Sequence, residues 1–201
     1  MQEPLPSLFY WTAFHEGIGM DVSSYYVHDS ATLIDPMVPA EGLDWFRERR
    51  PERIVLTCRH HYRHSDRFVE EFGVTVHCNE AGLHEFDGGP EVEGFRPGET
   101  VAPGIRALEV NALSPDETAL HVATADGAIA LADGLVRWGD DQVGFVPDQL
   151  MGDDPEAVKS GLRSALARIA AEEEFDSLLF AHGVPIVREG RRALERFLKS
   201  G

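Results

Sequence analysis

Cysteine is scarce. Cys58 and Cys78 are the only two in 201 residues, and nothing in their spacing marks them as a pair or as part of a disulfide framework. No cationic, apolar leader precedes Tyr10, and no apolar run is long enough to cross a bilayer. The expectation is a cytoplasmic protein with reduced thiols. Positive charge is short as well: 18 Lys and Arg face 35 Asp and Glu, for a formal net charge of -17. Such a surface repels phosphate backbones and anionic lipid headgroups, so neither nucleic acid nor a membrane is expected as a partner. Internal repeats, low-complexity tracts and long linkers are also absent.

What remains is ample for a core. Hydrophobic residues make up 43% of the chain, enough for a single domain over residues 1–201. Val22 to Val27 and Ala31 to Asp35 are β-rich runs joined by a short polar turn, a hairpin signal that Asp35-Pro36 ends. Glu41 to Arg49 places Leu43 and Phe46 at helical spacing and predicts a surface helix. Ile54 to Leu56 reads as a buried strand. A short helix follows from Asp66 to Phe72, stopped by Gly73, then a strand from Val74 to His77 and a short helix from Asn79 to Phe86. Thr100-Val101, Ile105 to Val110, Ala119 to Ala123 and Ala128 to Ala132 form a run of strands, with Asp126-Gly127 as a hairpin turn. Asp154-Pro155 opens a long helix whose apolar face carries Val158, Leu162, Ala165, Leu166 and Ile169. Ser177 to Ala181 is a last buried strand, and Arg191 to Lys199 closes with an amphipathic helix. Pattern alone leaves the class at α/β or α+β.

The chemistry concentrates in Thr57-Cys58-Arg59-His60-His61-Tyr62-Arg63-His64, where three histidines fall within five residues just past a strand end. A loop in that position can aim several imidazoles at one point. The stretch resembles the H-x-H-x-D-H loop of the metallo-β-lactamase fold superfamily, in its glyoxalase II-like hydrolase branch. Further matches occur in the same order: the opening hairpin, Phe95 to Glu99 with the strand from Ile105, Leu131-Ala132-Asp133-Gly134, and Phe180-Ala181-His182-Gly183 before the last helix. The resemblance spans nearly the whole chain and implies a four-layer αββα sandwich.

It also implies a damaged metal centre. With the loop anchored on His61 and His64, the first histidine falls on Arg59, the aspartate on Arg63 and the third histidine on Leu113. His61, His64, Asp133 and His182 remain as candidate ligands. His61 and His64 are also candidate acid–base groups. A second register, with Cys58 and His60 as the H-x-H pair and Tyr62 and Arg63 in the Asp-His places, stays open. Either way an arginine, which cannot lose its proton, enters the centre and competes with a metal for Asp133. The expected cofactor is one divalent ion (Zn, Mn or Fe) or none. The expected function is hydrolase-like, without ordinary two-metal hydrolysis. The alternative is a non-catalytic scaffold or small-anion binder using Arg59 and Arg63. The expected partner is a small molecule, anionic if Arg59 and Arg63 receive it, and a homodimer stays open. Cys58 is read as a buried thiol, Asp116 and Glu117 as a solvated loop, and Tyr62 and Trp138 as walls of the cleft or core.

Overall fold

Strands begin before the sequence expectations do. β1 (Gln2–Leu5) and β2 (Leu8–His15) form an antiparallel pair that leads into β3 (Met20–Val27) and β4 (Thr32–Ile34). β2 starts with Leu8-Phe9-Tyr10-Trp11, which packs on both faces, so it lacks the apolar–polar alternation that announces a half-buried strand. β5 (Arg53–Val55), β6 (Thr75–Asn79) and β7 (Glu93–Phe95) extend the same sheet in parallel, giving the order β1-β2-β3-β4-β5-β6-β7. The computed structural model describes residues 1–138 and 142–200, without the Trp138 side chain, so the expected position of Trp138 at the cleft wall lies outside the described residues.

The second sheet comprises β8 (Thr100–Ala102), β9 (Ile105–Glu109), β10 (Thr118–Val122) and β11 (Ala128–Leu131). A two-stranded ribbon, β12 (Val136–Trp138) with β13 (Gln142–Gly144), branches off next. β14 (Ser177–Phe180) then returns beside β11 in parallel, giving the order β14-β11-β10-β9-β8.

Three apolar layers hold the sandwich. Tyr25, Ile34 and Val55 of the first sheet meet Ile105, Leu120 and Leu179 of the second in the central layer. Outside the second sheet, α2 (Pro155–Glu172) and α3 (Gly190–Lys199) pack Leu162, Leu166, Ile169 and Leu194 onto Ile129, Leu178 and Phe180. Outside the first, α1 (Ser65–Phe72) joins Phe68 and Phe72 to Leu33, Ile54 and Val76. This is the αββα arrangement. Among the described residues, no helix is long and apolar enough to cross a membrane.

Local signals act as expected at several helix ends. The Asp154 carboxylate accepts the Ala157 N–H at 3.0 Å, capping α2, with Pro155 in the first turn. Gly73 adopts φ +67 and donates its N–H to Val69 O, closing α1. The surface helix expected over Glu41–Arg49 shrinks to a 3₁₀ turn, Asp44–Phe46. Gly42 at φ +79 interrupts the chain on one side, and Pro51 disfavours helical geometry at Arg50 on the other. Phe46 still reaches the core, edge-on to Trp11 and Phe68.

Candidate metal centre

Four strand ends converge at one edge of the sandwich. Asp35 follows β4, Thr57 and Cys58 follow β5, Asp133 follows β11 and His182 follows β14. Because β4 pairs with β5 in parallel, and β11 with β14, each sheet delivers two of these ends side by side.

Asp35 is the buried anchor. Its Oδ1 accepts the Thr57 N–H at 2.8 Å, its Oδ2 accepts the Thr57 hydroxyl at 2.5 Å, and Oδ2 lies 2.9 Å from His61 Nδ1. The far nitrogen of His61, Nε2, lies 3.1 Å from Asp133 Oδ1. His182 Nε2 reaches the same oxygen at 2.9 Å. Cys58 Sγ lies 3.9 Å from the other Asp133 oxygen. One carboxylate therefore gathers two imidazoles and a thiol, while a second fixes His61 from behind. A carboxylate on the remote nitrogen of a ligating histidine fixes the ring and its tautomer.

Charge follows from this geometry. Burial opposes ionisation of Asp133, but His61 and His182 outweigh it and hold the carboxyl well below its usual range. Burial likewise opposes the His61 cation and raises the Cys58 thiol, against the pull of His61. Cys58, then Asp133 and Asp35, hold His61 well above the ordinary histidine value. Asp35 is lowered against its own burial by His61, Arg63 and the Thr57 hydroxyl.

His61, Asp133 and His182 thus come together as the sequence suggested. His64 does not join them. Arg63 between them adopts φ +46, which turns the chain, so His61 points inward while His64 stays exposed. His64 Nδ1 instead accepts the Val38 N–H at 3.1 Å.

Arg59 and Arg63 do not form a pair either. The Arg59 guanidinium bonds to the buried Asp116 carboxylate, which also accepts the Arg59 N–H at 2.7 Å. Arg63 Nη1 donates to Ser23 O at 2.7 Å and Asp35 O at 2.8 Å, and among the described residues Arg63 makes no salt bridge to Asp133. Tyr62 packs against Phe86 with the rings tilted at 46°, 5.6 Å between ring centroids. His60 is exposed.

Asp116 and Glu117 are buried rather than solvated, because each satisfies backbone amides that would otherwise be orphaned. Glu117 accepts Gly134 N–H at 2.6 Å and Leu113 N–H at 3.1 Å. A side chain at Gly134 would collide with Glu117 Oε1, so the two positions depend on one another. Burial pushes the Glu117 carboxyl up to about 7 from 4.5, against the pull of those two amides. The folded protein therefore holds this proton more tightly than the unfolded chain. Stability from this group is complete below pH 4.5 and falls as pH rises to about 7, by on the order of 3 kcal/mol. Glu117→Gln should flatten that part of the profile when denaturant midpoints are compared across the window. An unchanged slope would show that Glu117 does not titrate there.

Asp35 is the residue that sequence reasoning left out of the centre, and Cys58 entered it only through the second register. The usable signal for Asp35 was its position: it ends a strand adjacent and parallel to the one that feeds the histidine loop.

A cavity of about 640 Å³ opens over the centre, lined by Cys58, Asp133, His182 and Glu117 and by apolar Ile18, Met20, Leu113 and Leu150. Leu113 occupies a wall where the resemblance expects the third histidine.

No protein-family model matches the chain, and no curated protein sequence does. Solved structures do. A metallo-β-lactamase family protein from Thermus thermophilus is 17% identical, with 98% of this chain and 79% of that one covered at TM-score 0.68. A β-lactamase domain protein from Burkholderia ambifaria is 16% identical over 99% of this chain and 75% of that one, also at 0.68. TTHA1623, solved in a di-iron-bound form, is 19% identical over 92% and 97%, again at 0.68. Layer order, strand-end convergence and these matches agree: the chain has the metallo-β-lactamase fold.

Proposed function

We propose that the chain is a hydrolase-like protein with a one-metal centre held by Cys58, His61 and Asp133, with His182 beside them, and that it lacks ordinary two-metal hydrolysis. The observation that carries this is the mutual closeness of three donors: the ligating atoms of Cys58, His61 and Asp133 all lie within 4.8 Å of one another. The set fits a metal chemically. One sulfur, one imidazole nitrogen and one carboxylate oxygen suit zinc or iron far better than magnesium or calcium. The Asp35–His61 contact supplies the outer carboxylate that such histidines need.

A second cation is disfavoured. His64 points elsewhere, and the permanent charge of Arg63 acts on both Asp35 and Asp133. When bound, a divalent ion supplies Lewis acidity and lowers the pKa of a coordinated water. The chain does the rest. Asp35 fixes the His61 ring, His182 holds a proton next to Asp133, and the apolar wall of the cavity receives the uncharged part of a small molecule and sheds water from it.

Cobalt titration of chelator-treated protein tests this reading. One equivalent should bind, with a near-ultraviolet thiolate-to-cobalt charge-transfer band. Cys58→Ser should remove that band, and His64→Ala should leave it in place. Two equivalents, or a band insensitive to Cys58→Ser, would refute the assignment.

A further inference from the structure

A separate cavity of about 430 Å³ lies where the β2–β3 hairpin turns, lined in part by Phe14, His15, Glu16, Met37, Arg63 and His64. It shares no lining residue with the cavity over Cys58. In a chain of net charge -17 this cavity is locally basic: Arg63, His64 and His15 face one carboxylate, the exposed Glu16.

The donors are partly unspent. Both strong bonds of Arg63 fall on Nη1, while Nη2 makes one long contact, 3.5 Å, to Ala181 O. His64 Nδ1 accepts the Val38 N–H, so that nitrogen carries no proton in the neutral ring and Nε2–H is the donor left over. His15 Nδ1 is buried with no hydrogen-bond partner among the described residues. Burial and then the Arg63 guanidinium hold His15 below the usual histidine range, and His64 and His182 add to the repulsion. No carboxylate is among the causes of that shift at His15, while Asp35 and Asp133 act on Arg63. Distant surface carboxylates weigh little, because salt screens them over about 8 Å at physiological ionic strength.

We propose that this cavity binds a small oxyanion of the phosphate type, with Arg63, His64 and His15 as donors. The site shares no lining residue with the cavity over the metal centre, and the Arg63 charge acts on Asp35 and Asp133 of that centre.

Calorimetric titration of the chelator-treated full chain tests it, with inorganic phosphate in one arm and glycerol phosphate in the other. Phosphate should bind at one saturable site. His64→Ala and His15→Ala should each weaken it roughly three- to tenfold, the worth of one hydrogen bond, and Arg63→Met by more. His60→Ala, which alters an exposed histidine outside this cavity, should change nothing. Tighter binding of inorganic phosphate identifies a free ion, and tighter binding of glycerol phosphate identifies a group carried on a larger molecule. Both outcomes support the site. Absence of saturable heat with either anion, or affinities unchanged in both histidine variants, overturns it. The histidine variants keep the test decisive if Arg63→Met fails to fold, since His64 is exposed and His15 is partly so.

Discussion

Asp133→Asn should abolish metal uptake while leaving the fold intact. The change preserves shape and removes charge at the atom on which His61 and His182 converge, 3.1 and 2.9 Å away. An amide oxygen is a poor substitute for a carboxylate toward a divalent ion, and its NH₂ group faces the other way as a donor. Replacing a group one step removed from an ion typically costs about 10–100-fold in affinity, so the loss of Asp133 itself should exceed that range. His61 also loses one of the two carboxylates that hold its proton, so its pKa should fall toward the ordinary value. Competition between the protein and a coloured chelator for cobalt measures the first effect, and imidazole proton resonances followed against pH measure the second. Wild-type affinity in Asp133→Asn would remove Asp133 from the centre.

Asp35→Ala should be the most destabilising single change in the site, by about 3–5 kcal/mol, the usual effect of removing one member of a buried charge pair. The carboxylate serves the Thr57 amide, the Thr57 hydroxyl and His61 Nδ1 together, and the variant leaves all three without it in a buried place. The pH dependence has a definite sign. Asp35 is lowered, so its contribution is present above the ordinary carboxylate range and is lost as pH falls through the lowered value. His61 is raised, so its contribution is complete below the ordinary histidine value of 6.5 and is lost as pH rises through the raised one. The pair is therefore intact across neutral pH, and the difference between wild type and Asp35→Ala should be widest there. Guanidinium midpoints converted to free energies give the answer; a difference below about 1 kcal/mol at neutral pH would mean that surrounding groups or water replace the carboxylate.

The layers of the fold were legible because periodicity and caps report local physics. Leu162, Leu166 and Ile169 repeat at helical spacing and do face the second sheet, and Asp154 does cap its helix. His61, Asp133 and His182 were legible because each follows an apolar run, and strand ends of one sheet gather at one edge. The place of His64 was not, since it turns on one backbone angle, the φ of Arg63. The buried acids were hidden for another reason. Composition treats Asp116 and Glu117 as surface residues, yet their partners are Arg59 and the amides of Leu113 and Gly134, which only the folded chain brings within reach. β2 escaped notice because a strand covered on both sides shows no alternation, and β1 because it is a four-residue, mostly exposed edge strand.

The parallel pairing of Leu131 with Phe180, and of Ile34 with Val55, has a mechanical consequence. Asp133 and His182 ride on one leaf of the sandwich, and Asp35, Cys58 and His61 on the other, so the centre works as a clasp across the seam between the leaves. Prising them apart at that edge must undo the His61–Asp133 contact along with the Ser23–Ala181 and Thr57–Thr118 backbone bonds, and anything gripped by Cys58 and Asp133 together adds its own hold to the closure.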